Sequence, residues 1–248
     1  MELLGIDVGG SGIKGGLVDP NKGELLGKRF RLATPKPATP EAVTKTVARV
    51  VEHFDWSGKV GAGFPAVVRH GQVDTAANIH KSWIGRDVQS MFSKATGCSF
   101  TVRNDADVAG IAEMSHGAGR GRDGVVLVLT LGTGIGSSLF TDGHLVPNTE
   151  FGHIEISGQI AEKRAADSVR TNKDLSWEKW AERIDEYLHR LAFYLWPDLV
   201  IIGGGVSKKH KNFLPLLTVD AEVVPAMLRN EAGIIGAACA SLEQHHGA

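Results

Sequence analysis

The sequence predicts an α/β fold made of two similar lobes, and three observations carry that expectation. Short apolar strands alternate with helical stretches along the chain. A strand–turn–strand segment occurs twice: Gly10-Ser11-Gly12-Ile13 with Leu17 matches Gly132-Thr133-Gly134-Ile135 with Leu139 at a constant offset of 122 residues, about half of the 248. Glycine is abundant, at 31 residues against ~7% in average usage, and a soluble protein spends such glycine on special turns and close backbone approaches.

The elements follow in order. Leu3 to Val8 reads as a buried strand ending at Gly9-Gly10-Ser11-Gly12, with Ile13 to Val18 as its partner and Asp19-Pro20-Asn21-Lys22-Gly23 as a turn. Glu24 to Leu32 is expected to return as a third strand. A proline-rich connector, 34–40, leads to a helix over Glu41 to Phe54, with Thr39 as N-cap and the stripe Val43, Val47, Val50, Val51, Phe54 facing inward. Val60 to Val68 and Phe100 to Arg103 are further strands. Val125 to Leu131 is the strongest strand signal and ends at Gly132-Thr133-Gly134-Ile135-Gly136. Trp177, Trp180, Ile184, Leu188, Leu191 and Leu195 recur at helical spacing until Pro197, as a core face or a dimer interface. Leu199 to Ile202 is a buried strand before Gly203-Gly204-Gly205, and a helix over Glu231 to Leu242 closes the series. The expected lobes are 1–105 and 106–248, with the last helix packing back on the first lobe.

Composition excludes several classes of function. With 27 basic and 28 acidic side chains the net charge is −1, which argues against a protein built to hold nucleic acid or an anionic membrane. Two cysteines, Cys98 and Cys239, supply neither a disulfide framework nor a usual structural zinc site. No basic leader precedes the first strand, and the longest apolar run, 125–131, is far below the ~18 residues of a membrane span. A cytoplasmic location is expected.

A glycine-rich turn carrying a hydroxyl lets backbone N–H groups point at a phosphate. Here Gly9, Gly10, Ser11 and Gly12 form one such turn and Gly132, Thr133, Gly134 and Gly136 the other, with Lys14 adding positive charge. Asp7, at the end of the first strand, would hold Mg²⁺ through its waters. The plain alternative is a pair of hairpins whose glycines supply positive φ; two turns in matching positions favour phosphate. There is no G-x-x-x-x-G-K-[ST], and the G-x-G-x-x-G of Gly119, Gly121 and Gly124 precedes a strand instead of following one. Asn104-Asp105-Ala106-Asp107 sits at a strand-to-helix junction. Asp105 could accept a proton from a hydroxyl there and Asn104 could hold a neighbouring one, while Asp107 is the expected helix cap. Glu150, His153 and Glu155 around Gly152 suit a polyol or, alternatively, a metal; Asn78 by itself is a turn residue. The basic runs Lys208-Lys209-His210-Lys211 and Lys163-Arg164 are solvated faces unless the ligand is a long polyanion.

Taken in order, these segments, together with Gly63-Phe64-Pro65-Ala66 and Gly203-Gly204-Gly205, resemble the ROK family of bacterial sugar kinases. That resemblance implies the two-lobed actin-like ATPase (ribonuclease H-like) fold, with a duplicated core and a cleft between the lobes. It implies Asp105 as catalytic base and Asn78, Asn104, Glu150, His153 and Glu162 as sugar-binding residues. Many members carry C-x-C-G-x-x-G-C after the Gly-His segment, but 156–166 holds no cysteine, so no zinc is expected. Gly152 to Ile156 with Ala161 to Ala165, Ala76 to Ile79 with Lys81-Ser82-Trp83, and Gly204 to Lys208 resemble instead the polyphosphate glucokinase branch, in which inorganic polyphosphate replaces or accompanies ATP.

The implied reaction is phosphoryl transfer to the 6-hydroxyl of glucose bound between the lobes, with Mg²⁺ and both glycine turns on the donor. Gly203, Gly204, Gly205 and Lys208 are the expected contacts with nucleotide or polyphosphate, and the family implies a homodimer. Two rivals stand beside this reading. One is an ATP-dependent glucokinase or glucomannokinase that has lost the zinc motif. The other is a non-catalytic sugar sensor on the same fold. A repressor with an added N-terminal DNA-binding domain is not expected, because the first strand begins at Leu3.

Overall fold

The computed structural model describes residues 1–242 and divides the chain into two compact units, 1–112 with 231 onward, and 113–230. The last six residues of the expected second lobe, 243–248, lie outside the described residues. The division falls within a helix, seven residues beyond the expected 105/106 boundary.

The first unit contains β1 (Leu3–Val8), β2 (Ile13–Asp19), β3 (Glu24–Leu25), β4 (Phe30–Leu32), α1 (Pro40–His53), β5 (Lys59–Phe64), β6 (Val68–Arg69), β7 (Gln72–Val73), α2 (Val88–Thr96), β8 (Ser99–Asn104) and most of α3 (Asp105–His116). Its main sheet runs β3-β2-β1-β5-β8, with β4 also on β2. β1 and β2 are antiparallel, whereas β1, β5 and β8 are parallel. Parallel central strands are covered on both faces and so read as continuous apolar runs, as Leu3-Leu4-Gly5-Ile6 does. Thr39 caps α1 through its side chain. Trp83, Phe64, Phe92 and Phe100 form a chain of edge-on ring contacts in this core.

Two expected strands are shorter than the sequence suggests. Glu24 to Leu32 is interrupted: Gly27 has φ 155°, and Lys28 and Arg29 beside it are exposed. The strand from Val60 stops at Phe64, because Pro65 has no N–H for the ladder. The helix α2, between its Asp87 N-cap and left-handed Gly97, was not anticipated.

The second unit follows with β9 (Val125–Leu131), β10 (Ile135–Thr141), β11 (His144–Val146), β12 (Glu155–Ile156), β13 (Gln159–Ile160), α4 (Ala161–Ala165), α5 (Asp167–Asn172), α6 (Trp177–Leu195), β14 (Leu199–Gly203) and β15 (Glu222–Pro225). Its sheet order, β11-β10-β9-β14-β15, repeats that of the first unit. In each, an antiparallel hairpin pair is followed by two parallel strands on the far side of its first strand. The internal repeat is therefore a repeat of topology. α6 buries Trp180, Ile184, Tyr187, Leu188 and Leu191, and Trp180 packs on Trp177 and Phe213, so the tryptophan stripe is core. Buried Glu113 accepts hydrogen bonds from the backbone N–H groups of Ala118, Met227 and Leu228, fixing the loop after β15.

The chain then returns to the first unit as α7 (Ala232–Ala240), which begins and ends inside the expected Glu231–Leu242. Its seat is bare backbone. A Cβ on Gly5 of β1 would lie 2.0 Å from the Ile234 carbonyl oxygen, and one on Gly61 of β5 would lie 1.6 Å from that of Ala237. A Cβ on Gly236 of α7 would in turn stand 1.6 Å from the Val108 oxygen of α3. Gly152 and Gly204 are spent on backbone contacts of the same kind.

Candidate functional site

The first glycine turn joins β1 to β2. Asp7 and Lys14 are cross-strand partners, and the Lys14 Nζ donates to Asp7 Oδ2 at 2.9 Å. The Gly9 N–H closes the turn on the Gly12 oxygen at 3.1 Å. None of Gly9, Gly10 and Gly12 has positive φ, which removes the plain explanation for their presence. Crowding is slight at Gly12, whose Cβ would lie 2.4 Å from Arg31 Nε, at the far end of a flexible side chain. It does not explain Gly10, where an added Cβ would meet nothing within 4 Å.

Arg31 is a functional candidate that the sequence reading missed. It lies opposite Lys14 across the β2–β4 pair and donates from Nη2 to the Ser11 oxygen at 2.7 Å. Two cations opposite one another on neighbouring strands repel, and here both stand at one turn. Only the strand register reveals this, since Arg31 is 20 residues from Ser11.

The second turn joins β9 to β10 and is one residue shorter, with three residues between paired Leu131 and Ile135 where the first has four between Val8 and Ile13. The Gly132 N–H donates to the Gly134 oxygen at 2.9 Å, and none of Gly132, Gly134 and Gly136 has positive φ. Gly132 matches Gly10, and a Cβ there would also meet nothing within 4 Å. Ser168 holds the turn from outside, its N–H on the Gly132 oxygen at 3.0 Å and its hydroxyl on the Thr133 oxygen at 2.7 Å. Ser11 and Thr133 are exposed.

Three of the expected sugar residues gather beside this second turn. Glu162, in α4, accepts the Ile135 N–H at 3.0 Å, and a Cβ on Gly134 would lie 2.1 Å from the same carboxylate oxygen. Gly152 packs so closely on β10 that a Cβ would stand 2.3 Å from the Ile135 oxygen. That contact anchors the segment bearing Glu150 and His153, whose Oε2 and Nδ1 are 3.1 Å apart. The Glu150 carboxyl is held above its usual range chiefly by partial burial; the His153 ring works against the shift and the Glu162 charge adds to it.

In the first unit, Asp105 is the exposed first residue of α3, and its Oδ1 accepts the Ala106 N–H at 2.9 Å. Gly63 allows α3 to start close to β5, since a Cβ there would be 2.7 Å from Val108 Cγ2. The helix cap is Asn104, not Asp107. Asn104 Oδ1 accepts from the N–H groups of Ala106 and Asp107 at 2.8 and 3.2 Å, and Nδ2 donates to the Ala66 oxygen at 3.1 Å. Asp107 itself is fully buried. Asn78 is exposed and its side chain makes no hydrogen bond among the described residues.

Gly203 ends β14, and Gly204, at φ 82°, lies where a Cβ would be 2.3 Å from the Leu131 oxygen. Gly205 is open, and Lys208 is exposed just beyond it. Among the described residues no group of three His, Cys, Asp or Glu side chains could enclose a metal ion. A single carboxylate such as Asp7 still suits Mg²⁺, which keeps most of its waters and takes its remaining ligands from substrate phosphates. No helix among the described residues is long and apolar enough to cross a membrane.

Comparison with known proteins finds the sequence profile of the ROK family over residues 3–168. The polyphosphate glucokinase of Mycobacterium tuberculosis (strain H37Rv) is 52% identical over 240 residues, spanning 96% of this chain and 91% of that one. The crystal structure of an inorganic polyphosphate/ATP-glucomannokinase from Arthrobacter sp. strain KM is 48% identical and superposes with a TM-score of 0.93 over 98% of this chain and 99% of that one. A ROK family glucokinase from Streptomyces griseus, solved in complex with glucose and AMPPNP, is 26% identical with a TM-score of 0.81, covering 96% and 98%.

Proposed function

The chain belongs to the ROK family, and from that premise we propose that it is a glucokinase that passes a phosphoryl group from inorganic polyphosphate to the 6-hydroxyl of glucose. The observation that carries this reading is the openness of Gly10 and Gly132. At these matched positions neither backbone conformation nor protein packing calls for glycine, so the space is kept for something outside the protein. A phosphate beside backbone N–H groups is the ligand such a turn suits. Arg31 at the first turn supplies positive charge for it, and Lys14 stands opposite in its pair with Asp7.

Phosphoryl transfer asks mainly for alignment and charge stabilisation. Asp105 takes the proton of the attacking hydroxyl. Glu150 and His153 hold sugar hydroxyls, and Glu162 does so from its anchor on the second turn. Asn104, with three hydrogen bonds committed to the fold, keeps one Nδ2 proton for the sugar and chiefly sets the backbone that carries Asp105. Asn78 contributes a further amide. Asp7 would hold Mg²⁺ through water, and the ion would neutralise charge on the donor. Asp7 also keeps Lys14 in place through their ion pair.

ATP is the second donor reading. It is favoured by the naming of both donors for the Arthrobacter relative and by the open backbone at Gly205. The protein acts in the cytoplasm as a homodimer. Its contact surface is the exposed end of α6, where Phe193, Tyr194 and Trp196 are 70%, 64% and 81% accessible. The deciding experiment is glucose 6-phosphate formation by the purified protein with Mg²⁺, comparing nucleotide-free long-chain polyphosphate with ATP. Product from polyphosphate supports the reading; product from ATP alone retires it in favour of the second, and sugar binding without product would point to a sensor.

A further inference from the structure

We propose that the basic segment after Gly204 seats the phosphates of the donor beyond the one transferred, so that the protein selects long inorganic polyphosphate over short. This rests on the kinase reading above. Lys208, Lys209 and Lys211 lie within Gly205–Asn212, a stretch with no acidic residue. Among the described residues none of the three has a carboxylate partner. Three cations kept together without an acid repel one another, and a polyanion relieves that repulsion while releasing its counterions.

Two independent routes tie this segment to the second glycine turn. On one, Gly204 packs on the oxygen of Leu131, the residue immediately before Gly132. On the other, Ser168 is bonded to Gly132 and Thr133, and two residues further on the Arg170 guanidinium lies over the Trp177 ring at 4.2 Å. Lys209 comes to the same ring, its Nζ 5.8 Å from the centroid. The Trp177 indole thus draws positive groups from two separate segments to one ring. With Arg170 over it and Phe213 stacked against it at 14°, that indole is a support for cations and not a platform for a nucleobase. Arg170 is balanced by Asp167 at 3.0 Å, which leaves the lysines as the net charge. Because Gly204 packs on the residue that precedes the turn, the chain leaving that contact reaches these lysines within four to seven residues, and a donor extending from the turn would meet them there.

The test compares kcat/KM for long-chain polyphosphate with that for tripolyphosphate in the wild type, in Lys209→Ala/Lys211→Ala and in Lys209→Arg. Both lysines are exposed, so the variants fold. The double variant is expected to lower the long-to-short ratio about tenfold, and to flatten the salt dependence for the long chain by about one logarithmic unit per lysine removed. Lys209→Arg should keep the wild-type ratio. A ratio unchanged in the double variant overturns the seat while leaving the kinase reading intact. An equal loss with ATP overturns it too, by showing a nucleotide contact. A wild type that forms product from ATP alone defeats the donor reading, and this seat with it.

Discussion

Asp105 stands at the first position of its helix with its carboxylate exposed, held there by a strut that the neighbouring residue provides. Replacing Asp105 with Ala should lower kcat by a typical ~10²–10⁴ while glucose affinity changes little, as read by steady-state kinetics and sugar titration. Gly10 and Gly132 allow a sharper separation of stability from function. Because nothing in the protein lies within 4 Å of an added Cβ and φ is not positive, Gly10→Ala and Gly132→Ala should change unfolding free energy by no more than ~0.5 kcal/mol. Donor KM should nonetheless rise severalfold in both. Glu150 gives a pH signature. Its raised pKa means that lowering the pH protonates it before ordinary carboxylates, so glucose KM should climb on the acid side from above the usual carboxylate range. The folded state favours protonated Glu150, so its contribution to stability is present at low pH and lost as pH rises through its own pKa. Glu150→Gln should flatten the acid limb of the KM profile. Asp105, Glu150 and the two turns could be singled out from the sequence because their chemistry is local. Arg31 could not, because only the register of β2 and β4 brings it to the turn.

At the scale of elements, the hairpins β1–β2 and β9–β10 were legible because each is an apolar strand stopped by glycine and resumed at once. The proposed third strand failed where a strand's identity depends on its partner: Leu25 and Leu32 both pair with β2, but on separate short segments. α2 carried readable punctuation, Asp87 before it and Gly97 after, yet its nine residues make too short an apolar stripe to stand out. The seat of α7 was invisible for a different reason. Glycine inside a strand reads as a bulge or a weak point, and only the packed structure shows Gly5 and Gly61 as the floor under a helix. Gly61→Ala should accordingly cost about 3 kcal/mol, since the Ala237 carbonyl must move to admit the methyl group, and urea unfolding would measure it. That loss stands against the near-neutral Gly10→Ala, although both substitutions are the same in sequence.

The whole molecule has the two-lobed actin-like ATPase fold of its ROK relatives, and its duplicated core was the most legible large-scale feature. The repeat offset of 122 residues corresponds to one sheet topology used twice. The first unit is discontinuous, since α7 comes from beyond the second. Deleting the chain after Asn230 should abolish hydrogen-exchange protection in β1 and β5, which lose their cover, while β9 and β14 keep theirs. The same arrangement bears on the order in which the protein is made. β1 leaves the ribosome more than 220 positions before the residues of α7, and until those emerge its sheet stays uncovered on one side. The unit encoded in the middle has all its parts by Asn230. Translation therefore presents the cell with a finished second half and an open first half, and the bare glycine floor of β1 and β5 is what waits.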